Sequence, residues 1–235
     1  MSVRPTAVVV WDLDGTVYRS TAACRHYARG IAAELAEDRR HAYLAALEDY
    51  LAGASGHVAS DGWEAAVVLA GGPRGASRAY ADAFARTRTF MLTDECGLEV
   101  PDGLVDLIEQ RSDSTRQVLM SNTPAFGVTP LLDRLGLLGL FDEIVCHAEK
   151  PERFAARLSA LARVHDVPPA AVISIGDHFV NDIAPALAIG CTTAYIDPFR
   201  VGPNGHATFE APRIEDLLPS LAAWLAGERL AAVET

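Results

Sequence analysis

One segment constrains this chain more than any other: Ala7-Val8-Val9-Val10-Trp11, followed at once by Asp12-Leu13-Asp14-Gly15. An apolar, β-branched run with no polar alternation must be covered on both faces, so it reads as an inner strand of a parallel sheet. It stops at two aspartates, which puts charge at the strand's carboxyl end. Four later segments repeat the design. Residues 117–120 run into Ser121-Asn122, and 143–146 precede Lys150. Residues 171–175 run into Gly176-Asp177, and 193–196 run into Asp197-Pro198.

Helical spacing fills the gaps, in Leu104, Leu107, Ile108, in Phe154, Leu158, Leu161, and in Leu217, Leu218, Leu221, Leu225. Pro151 suits the first turn of the helix after Lys150. Alternating strands and helices predict an α/β fold, a doubly wound parallel sheet with helices on both faces. Such sheets bind ligands at the carboxyl ends of their strands, where these polar residues fall.

Residues 20–98 differ, because they hold no strand pattern. Cys24, Tyr27, Ala28, Ile31, Leu35 mark one amphipathic helix, and Leu44, Leu47, Tyr50, Leu51 a second. Asp61 with Glu64 forms a capping box opening a third, with Trp63, Val67 and Ala70 on one face. Tyr80, Phe84 and Met91 predict a fourth, after the Gly71-Gly72-Pro73 break. The expected organisation is an α/β core of residues 1–17 and 99–235 with a helical cap, 18–98, inserted after the first strand. His26, His41, His57, Arg25, Arg29, Trp63, Arg74, Arg78, Arg86 and Arg88 fall in that cap, and a solvated helix face is the expectation for most of them.

Length and charge bound the function. The 235 residues allow one to two domains, and half of them are apolar, with 40 alanines raising the expected helix content. A formal charge of −11 argues against nucleic acid or an anionic membrane as partner. Cys24, Cys96, Cys146 and Cys191 are scattered with no CxxC, which fits neither a disulfide framework nor a zinc site. No apolar run reaches the roughly 18 residues of a membrane span, and the apolar start gives way at once to aspartates rather than forming a signal peptide. A cytoplasmic location is the expectation.

The strand-end set is Asp12, Asp14, Thr16, Ser121, Asn122, Lys150, Asp177 and Asp182. Of the chain's 20 Lys and Arg residues, 19 are Arg, so Lys150 is its one compact ammonium. Clustered carboxylates repel unless a cation joins them, and a donor set of oxygens alone selects Mg²⁺. A lysine and a hydroxyl beside that metal suit a phosphoryl group, whose repulsion from an attacking carboxylate they offset. An acidic protein can in this way hold a locally positive site. Taken singly, each member has a structural explanation: Asp14-Gly15 a turn, Ser121-Asn122 a helix start, Lys150 a surface cation, Asp177 a turn residue, Asp182 a helix cap.

Taken together, the set resembles the haloacid dehalogenase-like (HAD) phosphohydrolases. Asp12-Leu13-Asp14-Gly15-Thr16 is similar to that family's DxDGT signature, Ser121 to its second motif, Lys150 to its third, and 176–182 to its fourth. The resemblance implies a Rossmann-like core with a helical C1-type cap and a Mg²⁺-dependent phosphatase acting on a small soluble phosphomonoester. It implies that Asp12 attacks phosphorus and that Asp14 is the acid and base. Ser121, Asn122 and Lys150 would hold the phosphate. Mg²⁺ would take Asp12, the Asp14 backbone carbonyl and Asp177, with Asp182 and Thr16 behind them. The family's dehalogenase branch lacks the second aspartate, and its phosphonate-cleaving branch uses a cap lysine; here Asp14 is present and the cap has no lysine. A phosphomutase or pyrophosphatase shares the mechanism. A receiver domain, or a phosphoryl-binding protein without turnover, would hold the group instead.

Overall fold

The computed structural model describes residues 4–54, 59–72, 78–200 and 206–227. Among them, the first strand, β1 (Ala7–Trp11), leads into helices α1 (Thr21–Ala32), α2 (Glu37–Leu51), α3 (Gly62–Leu69) and α4 (Arg78–Phe90). Alternation then sets in with α5 (Leu104–Glu109), β2 (Thr115–Met120), α6 (Ala125–Arg134), β3 (Glu143–Val145), α7 (Phe154–His165), β4 (Val172–Gly176), α8 (Ala184–Leu187), β5 (Thr192–Ile196), β6 (Phe209–Ala211) and α9 (Ile214–Leu225). The sheet order is β3-β2-β1-β4-β5-β6, and every pairing is parallel. This is the doubly wound α/β architecture.

β1 is central because both its faces are apolar. Val8 and Val10 pack with Phe154, Leu158 and Leu161 of α7. Ala7, Val9 and Trp11 point the other way, into a cluster with Leu104, Leu131, Leu217 and Trp224. Successive strand residues alternate between faces, so one continuous run serves two helical layers. The strand order reverses at β1, with β2 on one side and β4 on the other, and there a crevice opens at the strand ends.

α1–α4 pack mainly on one another, burying Tyr27, Ile31, Tyr43, Leu47, Tyr50 and Val67 in a separate cluster. The chain leaves and re-enters the sheet region side by side: Arg19 and Glu99 exchange backbone hydrogen bonds of 2.9 and 3.1 Å. Asp61 caps α3 by accepting from the Glu64 N–H at 2.6 Å, whereas the Glu64 carboxylate accepts from Ser60 N–H at 2.9 Å, one residue earlier than a capping box requires.

Several expectations need correction. β6, a half-buried edge strand of three residues, is too short to show a periodic pattern. β3 is also an edge strand and only partly covered. Leu35 and Met91 lie just beyond α1 and α4. Pro151 precedes α7 rather than sitting in its first turn, since its carbonyl closes a turn on the Phe154 N–H at 3.1 Å. His57, Pro73 and Arg74 lie outside the described residues. Among those described, no helix is long and apolar enough to cross a membrane.

Candidate active site

Asp12 continues β1 past its last residue, its N–H donating to the Ile175 carbonyl of β4 at 2.9 Å. The next turn needs Gly15. Its φ is +84°, and a Cβ there would overlap the Asp177 carboxylate. The tight turn thus brings the β4 end against the β1 end.

Lys150 reaches this point from the loop after β3. Its buried Nζ donates to Asp12 Oδ1 at 2.6 Å and to Asp182 Oδ1 at 2.5 Å. The loop is held in place by Asn122, whose amide accepts from Lys150 N–H at 2.7 Å and donates to Lys150 O at 2.8 Å. His147 and Glu149, just before the lysine, have φ of 50° and 54°, a left-handed backbone costing about 1–3 kcal/mol each. Burial pushes the Lys150 ammonium down, but the carboxylates of Asp12 and Asp182 more than reverse this, and the net shift is upward.

Asp182 sits in a single π-helical turn, Phe179–Ile183. Its Oδ2 accepts from His178 N–H at 3.2 Å, and its backbone carbonyl accepts from Ser174 Oγ at 2.7 Å. It does not cap the turn: His178 does, through Nδ1 and the Asn181 N–H at 3.3 Å.

Asp12, Asp177 and Asp182 each offer a carboxylate oxygen, and these atoms lie within 4.8 Å of one another. Burial, against the pull of Lys150, raises the Asp12 carboxyl to about 7. Burial first, then Asp12 and Asp61, holds Asp177 well above the usual carboxylate range. When ionised, these hard oxygen donors carry more negative charge than one ammonium offsets, a set that suits a hard divalent cation. Thr16 lies buried beside the turn, its hydroxyl unpaired. Ser121 is buried at the β2 end, its Oγ accepting from Thr123 N–H at 3.1 Å.

Asp14 is held by a residue for which sequence reasoning gave no role. Arg88, near the end of α4, donates from Nη2 to Asp14 Oδ2 at 2.6 Å and to Thr123 Oγ1 at 2.8 Å. Its Nη1 donates to Tyr18 OH at 3.0 Å, and Tyr18 OH in turn donates to Asp14 Oδ1. Thr123 Oγ1 donates to Asp14 Oδ2 at 3.0 Å. The guanidinium lies 4.7 Å from the Phe84 ring centre and 5.0 Å from that of Trp63. The expectation of a solvated face fails for Arg88 because Tyr80, Phe84 and Arg88 recur every four residues, the spacing of α4's inward stripe. That spacing was the available signal.

Asp12, Asp14, Ser121, Asn122, Lys150, Asp177 and Asp182 therefore converge on one cavity of about 720 Å³, which the helical insert also lines. Thr16 is not among the residues lining it.

A carboxylate cluster at the carboxyl ends of a doubly wound parallel sheet, with one buried lysine, marks a class of α/β protein with a candidate cation site. The haloacid dehalogenase-like hydrolase family matches residues 9–184, and the chain belongs to that family. No protein of curated function matches it in sequence. Solved structures similar to it include YfnB from Bacillus subtilis, a HAD protein bound to magnesium, at 19% identity, TM-score 0.59 and coverage of 92% of this chain and 99% of that one. A HAD phosphatase from Thermococcus onnurineus is 20% identical, with TM-score 0.57 and coverage of 96% and 100%. A 2-haloacid dehalogenase from Pseudomonas syringae pv. tomato is 17% identical, with TM-score 0.53 and coverage of 93% and 98%. At these identities the likeness is one of fold.

Proposed function

We propose that this hydrolase is a Mg²⁺-dependent phosphatase acting on a small phosphomonoester through an aspartyl-phosphate. The observation that carries the reading is the chain's one lysine, buried between Asp12 and Asp182 with the Asp177 carboxylate alongside. Asp12 presents a carboxylate to the cavity beside the charge that an incoming phosphate needs. The presence of Asp14 two residues on favours phosphate-ester chemistry over dehalogenation, which needs no proton donor to an ester oxygen.

In the first step an Asp12 oxygen forms a bond to phosphorus, the ester P–O bond breaks, and Asp14, once protonated and turned from Arg88 toward the substrate, gives its proton to the departing alcohol. In the second, Asp14 takes a proton from water, whose oxygen displaces Asp12 and frees inorganic phosphate. Lys150 neutralises charge on the nucleophile and phosphoryl oxygens, and the Ser121 hydroxyl donates to one of those oxygens. Asn122 acts through the Lys150 backbone. Asp182, with both oxygens engaged, orients Lys150. The Asp12 and Asp177 carboxylates with the Asp14 carbonyl would hold Mg²⁺, which when bound offsets the repulsion between carboxylate and phosphate dianion. Residues 18–98 serve as a cap that closes over the substrate and excludes bulk water.

The test is phosphate release by the purified chain from small phosphomonoesters. Multiple turnover should appear with Mg²⁺, vanish on chelation and return on adding the metal. Asp12→Asn should lower kcat by at least about 10³-fold without changing the unfolding midpoint by more than a few degrees. Full activity in that variant would overturn the assignment of the nucleophile, and a single stoichiometric phosphorylation without release would overturn the phosphatase reading.

A further inference from the structure

The cavity above Asp12 has a charged floor and an aromatic wall. Tyr27, Trp63 and Phe84 of the helical insert touch one another, with ring centres 5.4 Å (Tyr27–Trp63), 5.6 Å (Trp63–Phe84) and 6.1 Å (Tyr27–Phe84) apart. Tyr80, one turn before Phe84, lines the same space. So does Phe126, in the first turn of α6. At 57% exposure it is the only exposed aromatic side chain among the described residues. A ring left in water at the mouth of a cavity gains by acquiring a flat apolar neighbour.

Charge narrows the occupant further. Among the described residues, the lysine and arginine that line the cavity are both committed, Lys150 to Asp12 and Asp182 and Arg88 to Asp14. The other charged side chains that the described part of the insert places on this wall, Asp61 and Asp82, are acidic. Among the described residues, an alcohol portion bearing its own carboxylate or second phosphate would meet repulsion with no unpaired lysine or arginine on the wall to offset it, and the lining imidazole, His178, faces Glu64 at 3.4 Å.

From this we infer that the phosphomonoester carries a flat, uncharged ring on its alcohol, seated against Trp63, Tyr80, Phe84 and Phe126. The inference rests on the phosphatase reading above and names the substrate class within it. A cavity of about 720 Å³ accommodates a phosphate plus one or two rings.

The experiment compares kcat/KM for 2-phenylethyl phosphate, propyl phosphate and phosphoglycolate with Mg²⁺. The first two release alcohols of similar acidity, so the chemistry at phosphorus is matched and the ring is the variable. The expected result is a preference of about tenfold or more for the phenylethyl ester over each of the others. Phe126→Ala, at an exposed position that the fold does not need, should narrow the phenylethyl-to-propyl ratio several-fold, chiefly through KM. Equal kcat/KM for the phenylethyl and propyl esters, a preference for phosphoglycolate, or an unchanged ratio in Phe126→Ala would overturn the ring assignment while leaving the phosphatase reading in place. Absence of phosphate release from all three esters would overturn both.

Discussion

Arg88 shows how much one side chain can join. Its guanidinium comes from the last helix of the insert and ends on Asp14 and Thr123 of the sheet region and on Tyr18 at the junction. Burial pulls the guanidinium down in pKa, and Asp14 and Tyr18 more than restore it, so the net shift is upward. Breaking a buried pair from one side strands the other charge, at a cost of about 3–5 kcal/mol. Arg88→Leu should therefore lose stability on that scale in urea unfolding. Arg88→Lys, which keeps the charge but not the planar fork, should lose less than half as much. A leucine variant as stable as the parent chain would show that the pair contributes nothing net. The aspartates at 12 and 14 could be read directly, because two charges after an apolar run need a local reason to be there. For Arg88 the spacing with Tyr80 and Phe84 marks an inward face but not the partner, which lies 74 residues away along the chain.

At the scale of elements, the strand ends present the site and the α4 stripe covers it. The two crossings between insert and sheet region are tied together and to α9. Arg19 pairs with Glu99 across the junction and with Glu215 in the first turn of α9 at 2.7 Å. Hydrogen bonding from Arg213, with Arg19 adding to it, lowers the Glu215 carboxyl to about 2. A depressed carboxylate contributes stability above its ordinary value of 4.5, and that contribution is lost as pH falls from there toward about 2. Glu215→Gln should accordingly lower the unfolding midpoint modestly at pH 7, by an amount equivalent to less than about 1 kcal/mol for so exposed a cluster, and the difference from the parent chain should vanish near pH 2. A difference of equal size at both values would mean that the effect is not electrostatic. Among the elements, β1, β2, β4 and β5 were legible as strands because a buried run leaves an unbroken apolar signature. β3 was legible too, through Ile144-Val145-Cys146, although it is an edge strand only partly covered, whereas β6, an edge strand of three half-buried residues, is too short to show in composition.

At the scale of the whole molecule, an excess of negative charge is gathered at one point. The chain carries a formal −11, and six of its aspartates, Asp12, Asp14, Asp61, Asp82, Asp177 and Asp182, line a single cavity. A cation that binds only the folded form must stabilise it by mass action, about 2.7 kcal/mol at a hundred times its dissociation constant. For a chain of this length that corresponds to roughly 5–10 °C. Mg²⁺ should raise the midpoint by that order, EDTA should reverse it, and Asp177→Asn should abolish most of the shift. A variant with an undiminished shift would place the metal elsewhere. By itself the sequence determined the order of β1 to β5, the run of helices after β1, and the residue types at the strand ends, because burial and chain direction leave local, periodic traces. Only the tertiary structure decided that Arg88 closes on Asp14, that Asn122 grips the Lys150 backbone rather than facing the cavity alone, and that Lys150 lies between Asp12 and Asp182. Each of these is a contact between distant segments, set by how the layers pack, and packing leaves no mark in the residues beside each partner.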